Sequence, residues 1–224
     1  MNYFIKEGYK ENINQAGEVT KQYTAPPLDT IWQIEVYKHL AHLIKENNLS
    51  RIIEFGCGSG YKLMKYIAPI SPNVTGLDFE HAIKYCREKY PGGNWISLDF
   101  DKADLDLEKP YDLLMAVDVI EHLVYPEKMI KQMKECAGKD SLLVFSTPER
   151  DLIRGTDTFG PPDNLKHVRK WNQQEFKYFL ESQGLVVIDH PLMKAKKYTL
   201  REYQYHLRKR KPLKTCQVAV CKLK

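Results

Sequence analysis

The sequence predicts an α/β fold in which helices cover both faces of a mostly parallel sheet. Short apolar segments alternate with amphipathic segments along the chain, a pattern typical of βαβ units. Leu113–Val117 and Leu142–Ser146 are almost uninterrupted apolar segments, as expected of strands buried on both faces. The length of 224 residues fits one domain with an appendage.

The elements follow one another in a regular order. Apolar residues recur at helical spacing over 30–47, and Asp29 could cap the helix that they predict. Beyond it we predict seven strands, at 51–55, 73–77, 95–98, 113–117, 142–146, 185–188 and 216–221. Helices are predicted at 61–68, 80–89, 126–137 and 172–182, with a loop over 148–170.

The composition excludes several classes of protein. With 43% hydrophobic and 28% charged residues, the chain is neither disordered nor fibrous. No apolar run is long enough to span a membrane, and the polar start resembles no signal peptide, so we expect a cytoplasmic protein. The five cysteines are scattered without a CxxC pair, which predicts reduced thiols rather than disulfides or a zinc site.

Charge is distributed unevenly along the chain. From residue 191 to the end there are eleven Lys/Arg and one acidic residue, whereas the rest carries a net negative charge. A basic tail favours an anionic partner, either a phosphorylated substrate, nucleic acid or a membrane surface, although it could equally be a solvated face. We divide the chain into 1–48, a lid segment with a helix, and 49–224, a ligand-binding domain with a basic insertion at 192–214.

Polar residues and glycines follow the predicted strands, where ligands bind in such sheets. The first strand ends in Glu54 and a GxGxG loop formed by Gly56, Gly58 and Gly60. Alternate glycines allow a tight turn and close approach of a ligand, and the acid before them suits a cationic group. The carboxylate that ends the second strand, Asp78, could accept hydrogen bonds from ribose hydroxyls.

These motifs resemble those of class I S-adenosylmethionine-dependent methyltransferases over residues 50–190. The resemblance implies a Rossmann-like sheet of seven strands whose last strand is antiparallel, and S-adenosyl-L-methionine as cofactor. It places the methionine part on the loop, the ribose on Asp78 and the adenine at Asp99, with Phe100 flanking the ring. The full set of expected cofactor contacts is Glu54, Gly56, Cys57, Gly58, Gly60, Asp78, Phe79, Asp99, Phe100, Asp118 and Val119.

Two mechanisms remain open for the chemistry. His167 could act as general base, because a neutral imidazole suits that task. Glu121 and His122 would then orient the acceptor. Alternatively, Asp118 could join these three in binding Mg²⁺ or Mn²⁺, since residues 118, 121 and 122 share a face if the segment is helical. That spacing is similar to the ExxEH motif of metal-dependent small-RNA 2′-O-methyltransferases, with Asp for the first Glu. The Glu-His pair could also be purely structural.

The acceptor side is rich in cations and aromatic residues. This region resembles ubiquinone-biosynthesis O-methyltransferases and, more closely, small-molecule methyltransferases of surface-polysaccharide gene clusters. The turn at Thr147-Pro148, the stretch 150–155 and the segment 160–171 carry the closer resemblance. We expect substrate contacts from Tyr9, Tyr23, Arg150, Arg154 and Arg169. The predicted function is O-methylation of a small, polar, anionic acceptor such as a sugar or phosphorylated metabolite. The alternative is an RNA 2′-O-methyltransferase whose insertion binds RNA.

Overall fold

The computed structural model describes residues 2–13, 30–100, 107 and 110–224. Its strands are β1 (Arg51–Phe55), β2 (Asn73–Asp78), β3 (Asn94–Ser97), β4 (Tyr111–Val117), β5 (Ala137–Pro148), β6 (Leu185–Asp189), β7 (Leu192–Met193) and β8 (Cys216–Leu223). Its α-helices are α1 (Ile34–Glu46), α2 (Glu80–Lys89), α3 (Pro126–Cys136), α4 (Arg150–Arg154), α5 (Gln173–Ser182) and α6 (Leu200–Arg208). A π-helix (Leu63–Ile67) and a 3₁₀ turn (Ile120–His122) complete the described elements.

One sheet organises the molecule, with strand order β3-β2-β1-β4-β5-β8-β6. The pairs among β1 to β5 are parallel, whereas β8 runs antiparallel to both β5 and β6. The mostly parallel sheet with an antiparallel last strand is therefore confirmed. The two-residue strand β7, which pairs with β8, is additional. The connections reverse direction between β1 and β4, and ligands bind beyond the strand ends at such a switch point.

The sheet separates two hydrophobic cores, and strand alternation assigns residues to each. In β4, Leu113 and Met115 join one core, whereas Leu114 and Ala116 join the other, as the two-residue period of a strand requires. Helices α1 and α2 cover the first core, and α3 and α5 cover the second. The helix predicted at 30–47 thus packs directly on the sheet that carries the glycine loop.

Several element boundaries differ from the sequence predictions. Helix α1 begins at Ile34, because Gln33 takes a left-handed backbone with φ 60°; the proposed cap Asp29 lies outside the described residues. The segment predicted as helix 61–68 is π-helical over Leu63–Ile67. Strand β5 is longer than predicted, since its polar start gives no apolar signal. The predicted loop 148–170 contains α4, whose first turn is capped by the Glu149 side chain, which accepts a hydrogen bond from Leu152 N.

All five cysteines of the chain are free and buried, and none lies in a disulfide. Burial raises the pKa of the Cys221 thiol to about 12, so this thiol stays protonated and inert. In the described part of the chain, no helix combines the length and apolar character needed to cross a membrane.

Candidate functional site

The glycine loop after β1 is held in a backbone conformation that favours glycine. Gly56, Gly58 and Gly60 have φ values of 80°, 56° and 70°, in the left-handed region that favours glycine. Both Gly56 N and Cys57 N donate to the carbonyl of Leu77, at 2.8 and 2.9 Å. A Cβ at Gly56 would lie 2.4 Å from Cγ2 of Val119. The loop is therefore a close-fitting cradle that spans the ends of β1, β2 and β4.

Asp78 closes this cradle from the end of β2. Its Oδ2 accepts from Gly58 N at 2.8 Å and its Oδ1 from Phe79 N at 2.7 Å. Burial raises the pKa of this carboxyl, and the two backbone N–H groups partly oppose the shift. Each carboxylate oxygen has a second lone pair, which could accept from a ribose hydroxyl.

Glu54 lies fully buried at the end of β1. The hydroxyl of Tyr37, on α1, donates a hydrogen bond to its Oε1. Sequence reasoning missed Tyr37, because only the packing of α1 across the sheet brings it to β1. This contact ties the first helix to the acidic side chain that precedes the cradle.

The residues predicted near an adenine lie along the ends of β2 and β3. Asp99 is partly buried. Phe100 is 3% exposed and packs on Phe55, with ring centroids 5.7 Å apart. The ring that was expected to flank the adenine therefore lies in the hydrophobic core. Phe79 is the N-cap residue of α2 and stacks on His81.

A second group of polar residues follows β4. The fully buried Glu121 lies in the 3₁₀ turn. Neither of its carboxylate oxygens has a hydrogen-bond partner of normal geometry among the residues described, although Asp118 and Thr147 face it. Burial and then the nearby Asp118 carboxyl raise the pKa of Glu121 well above its usual range. A buried carboxyl of this kind calls for a proton donor or a cation.

Two histidines complete the group. His122 Nδ1 lies 3.0 Å from the carbonyl oxygen of Lys166, and its ring meets that of His167 edge to face at 4.5 Å between centroids. Nδ1 of His167 is buried and unpartnered within the described structure. Burial, and then the neighbouring His122 and Lys170, lower the pKa of His167 to about 2. Its imidazole is therefore neutral over the working pH range.

Glu121, His122 and His167 converge on one point. Each offers a ligand atom, and these atoms lie within 4.8 Å of one another, so the group could hold a divalent ion. Asp118 is not a member of this group. The expected α-helical face does not form, because the 3₁₀ turn begins at Ile120 and Asp118 precedes it with φ 62°.

A cavity of about 710 Å³ opens above this cluster. Asp118, His122 and His167 form part of its lining. Aromatic and basic side chains line it as well: Trp32, Tyr198, Tyr205, His206, Lys62, Lys170, Lys196 and Lys211. Its size is typical of small-molecule sites. The lining favours a ligand with an anionic group.

The wall of this cavity joins two distant parts of the chain. Residues 30–35 pair with the start of the insertion: Trp32 forms a β-bridge with Lys196, and Gln33 N donates to Ala195 O at 2.8 Å. An ion pair of 3.2 Å links Glu35 and Lys194. Sequence reasoning named the basic insertion, but only this pairing shows that it faces the histidines.

Carboxylate partners within the protein engage two of the predicted substrate contacts. Arg150 is fully buried and forms two hydrogen bonds with Glu175, at 2.5 and 2.9 Å. Arg169 is 1% exposed, pairs with Glu11 and donates to Leu123 O at 2.9 Å. These guanidinium groups hold loops together. The sequence could not show this, since Glu175 and Glu11 lie 25 and 158 residues away along the chain.

The other predicted contacts lie beside the cavity or outside the described structure. Arg154 donates to the carbonyl oxygens of Gly160 and Pro161 and pairs with Asp163. The Tyr9 hydroxyl accepts from Lys170 N at 3.2 Å. Tyr23 lies outside the described residues. The N-terminal residues 2–13 contact the segment 156–171, which includes residues predicted to contact the acceptor.

Comparisons with known proteins agree with this architecture. A family model described as a methyltransferase domain matches residues 32–190. The chain is 28% identical over 176 residues to a probable S-adenosylmethionine-dependent methyltransferase of Mycobacterium tuberculosis, covering 75% of this chain and 61% of that protein. It is 27% identical over 120 residues to a ubiquinone biosynthesis O-methyltransferase of Actinobacillus pleuropneumoniae, covering 48% of this chain and 50% of that protein.

A solved structure shares the fold. The chain superposes on an S-adenosylmethionine-dependent methyltransferase from Clostridium acetobutylicum with a TM-score of 0.61 and 13% identity, covering 92% and 93% of the two chains. The fold and the cradle thus define the class I methyltransferase type. The chain belongs to the methyltransferase domain family, whose cofactor is S-adenosyl-L-methionine. The resemblance to class I S-adenosylmethionine-dependent methyltransferases is confirmed, as is the distant similarity to ubiquinone-biosynthesis O-methyltransferases. The resemblance to enzymes of surface-polysaccharide gene clusters stays a prediction.

Proposed function

We propose that this protein is an O-methyltransferase that methylates a hydroxyl group of a small anionic acceptor, such as a sugar or phosphorylated metabolite. The observation that carries the proposal is the cavity, which is lined by His122 and His167 of the Glu-His-His cluster and by basic and aromatic side chains. Its volume fits a small molecule. The lysines that line it suit a phosphate or carboxylate.

The residues at the strand ends fit the cofactor. When bound, S-adenosylmethionine would supply a methyl group to the acceptor oxygen: the new C–O bond forms in line as the C–S bond breaks, and S-adenosylhomocysteine leaves. The cradle at Gly56–Gly60 admits close backbone approach, and Glu54 would favour the positive charge of the methionine part. We assign the ribose to Asp78 and the adenine to Asp99, as the sequence predicts.

The cluster would prepare the acceptor. His167 is neutral, so its imidazole can accept a hydrogen bond from the acceptor hydroxyl and orient the oxygen. An imidazole whose pKa is about 2 is a weak base, so the proton has to pass to a stronger one. Glu121, whose pKa burial raises and whose oxygens have no hydrogen-bond partner among the described residues, would receive that proton in its ionised, carboxylate form. His122, whose Nδ1 lies next to a backbone carbonyl oxygen, would hold the ring of His167 in position through their edge-to-face contact.

The same three side chains also fit a divalent cation, the alternative that the sequence left open. When bound, such an ion would acidify a coordinated hydroxyl. Carboxylate and imidazole are suitable ligands for it. A histidine ligand commonly engages its other nitrogen with a carbonyl, as His122 does with Lys166. On this alternative His167 is a ligand rather than a base.

The first experiment is calorimetric titration with S-adenosylmethionine and S-adenosylhomocysteine. It is performed with EDTA and with added Mg²⁺ or Mn²⁺. Binding of both ligands supports the cofactor assignment, and binding of neither contradicts it. Turnover is then measured under the same conditions. Turnover that EDTA abolishes and that Mg²⁺ or Mn²⁺ restores would establish the metal alternative.

The variant His167→Ala tests the role of the cluster. We expect turnover on a panel of sugar phosphates to fall roughly 10²-fold or more, the usual contribution of a positioned base, with nearly unchanged cofactor affinity. His42→Ala, at an exposed position on α1, is the matched control and should keep full activity. Loss of cofactor binding with normal turnover per bound enzyme would show that His167 is not the base.

The second candidate, an RNA 2′-O-methyltransferase, is favoured by the exposed cations Arg201, Arg208 and Lys209–Lys211 of the insertion. It predicts a different salt response. Many phosphate contacts would make acceptor affinity fall steeply with added salt, whereas a small acceptor gives a shallow slope. Titration of the acceptor at several salt concentrations separates the two.

A further inference from the structure

Helix α6 presents an apolar stripe that the described residues of the chain leave uncovered. Leu200, Tyr203 and Leu207 are 73%, 41% and 59% exposed. They are spaced i, i+3 and i+7, so they share one side of the helix. The structure describes all nine residues of α6, and none of them is buried.

The orientation of this helix is fixed by its opposite side. Glu202 pairs with Lys196 and forms a capping box with Thr199. His206, one turn further on, packs edge to face on Tyr198, and its Nδ1 lies 3.1 Å from Pro212 O. The side of α6 that carries Glu202 and His206 is therefore anchored to neighbouring residues of the insertion, and the leucines on the other side point outward.

Positive charge surrounds the stripe. Nine Lys/Arg and one acidic residue lie between residues 194 and 214, and that acid is engaged by Lys196. Arg201 and Arg208 flank the leucines on α6, and both are exposed. Long basic side chains beside an apolar stripe can extend to anionic headgroups while the stripe enters the acyl boundary.

We propose that α6 binds the surface of an anionic lipid bilayer, with Leu200, Tyr203 and Leu207 inserted and the basic residues on the headgroups. RNA would engage the cations but would leave two exposed leucines without an apolar partner. A second copy of this chain would oppose like charge to like charge across a symmetric contact. A bilayer of negative charge satisfies both features at once.

This placement has a consequence for the cavity. Tyr205 and His206, on α6, and Lys211, just after it, line the cavity above the histidines. A helix docked on a membrane would therefore hold the cavity next to the lipid surface. Acceptors carried by that surface would meet it at high local concentration.

The test is flotation of the full chain with vesicles, without cofactor or acceptor, so that it does not depend on the proposed function. The vesicles consist of phosphatidylcholine alone or of phosphatidylcholine mixed with phosphatidylglycerol. We expect binding to the anionic vesicles and little to the neutral ones. The double variant L200E/L207E should bind at least about tenfold more weakly, since two inserted side chains are lost. Ile188→Glu, at a 50% exposed position of β6, is the matched control and should bind like wild type.

Four outcomes would overturn the proposal. The first is equal flotation with both vesicle types, or none. The second is wild-type flotation of L200E/L207E while its circular dichroism and thermal melting are unchanged. The third is a wild type that does not float but forms a concentration-dependent dimer in sedimentation, together with loss of this dimer in L200E/L207E. That result would assign the stripe to contact with a second copy. Binding of single-stranded RNA that depends on Arg201 and Arg208 but not on the leucines, without vesicle binding, would assign the surface to RNA.

Discussion

Gly56 shows how one backbone angle and one neighbouring side chain constrain the cradle. Gly56→Ala would place a Cβ at φ 80° and 2.4 Å from Val119. We expect cofactor affinity to drop and the free energy of unfolding to fall by about 2 kcal/mol or more, because left-handed strain alone costs about 1–2 kcal/mol. Chemical denaturation and calorimetry measure the two effects.

A second substitution separates strain from collision. Gly56→Ala combined with Val119→Ala removes the contact but not the strained angle, so stability should recover in part. Gly92→Ala, where a Cβ would have open space, should be nearly neutral. Full recovery in the double variant would show that the backbone angle matters little at this position.

His167 makes stability depend on pH. Its pKa is about 2 in the folded protein and near 6.5 in an unfolded chain, so acid favours the unfolded state. In EDTA buffer, wild type should lose stability faster than His167→Gln as pH falls below about 6.5, by up to about 1.4 kcal/mol per pH unit. Denaturation midpoints between pH 7 and pH 5, read against His42→Gln, measure the difference. Parallel curves for wild type and His167→Gln would contradict the low pKa.

At the residue scale, the sequence predicted what lies within a short motif. The glycine loop with Glu54, and Asp78 after the next strand, followed from local spacing. Tyr37 as the partner of Glu54, and Glu175 as the partner of Arg150, could not be predicted, because each pair meets only through tertiary packing. The same limit explains why Arg150 and Arg169 were expected at the substrate.

At the element scale, the same capping box occurs in two helices with different roles. Asn172 caps α5, which buries Phe176, Phe179 and Leu180, whereas Thr199 caps α6, which buries none of its residues. We expect Asn172→Ala to lower global stability by about 1 kcal/mol. Thr199→Ala should leave global unfolding unchanged and speed amide exchange in α6. Equal loss of global stability would mean that α6 is part of the cooperative core.

Strands and helices also differed in how readily the sequence revealed them. The strands are apolar and buried, so their alternation with helices predicted the sheet. Helix α6 was missed, because its few apolar residues face outward and give no core-facing period. The short helix α4 was hidden in a segment whose prolines and glycine indicated a loop. Elements that the core does not require leave the weakest patterns.

At the scale of the whole molecule, the chain combines a scaffold shared with other methyltransferases with a separately anchored wall. The sheet and cradle belong to the fold, and the sequence predicted them. The wall forms where residues 30–35 pair with the basic insertion, and no local pattern announces such a pairing. The acceptor side was therefore the part of the site least accessible to sequence reasoning.

The five buried cysteines can report the order in which parts of the folded protein open. Their thiols lie in the glycine loop (Cys57), on α2 (Cys86), at the end of α3 (Cys136) and along β8 (Cys216 and Cys221). A thiol reagent can reach each one only when its surroundings open. The order in which the thiols react thus shows which part of the sheet opens first. A ligand bound in the cradle would slow the modification of Cys57 more than that of the other four cysteines.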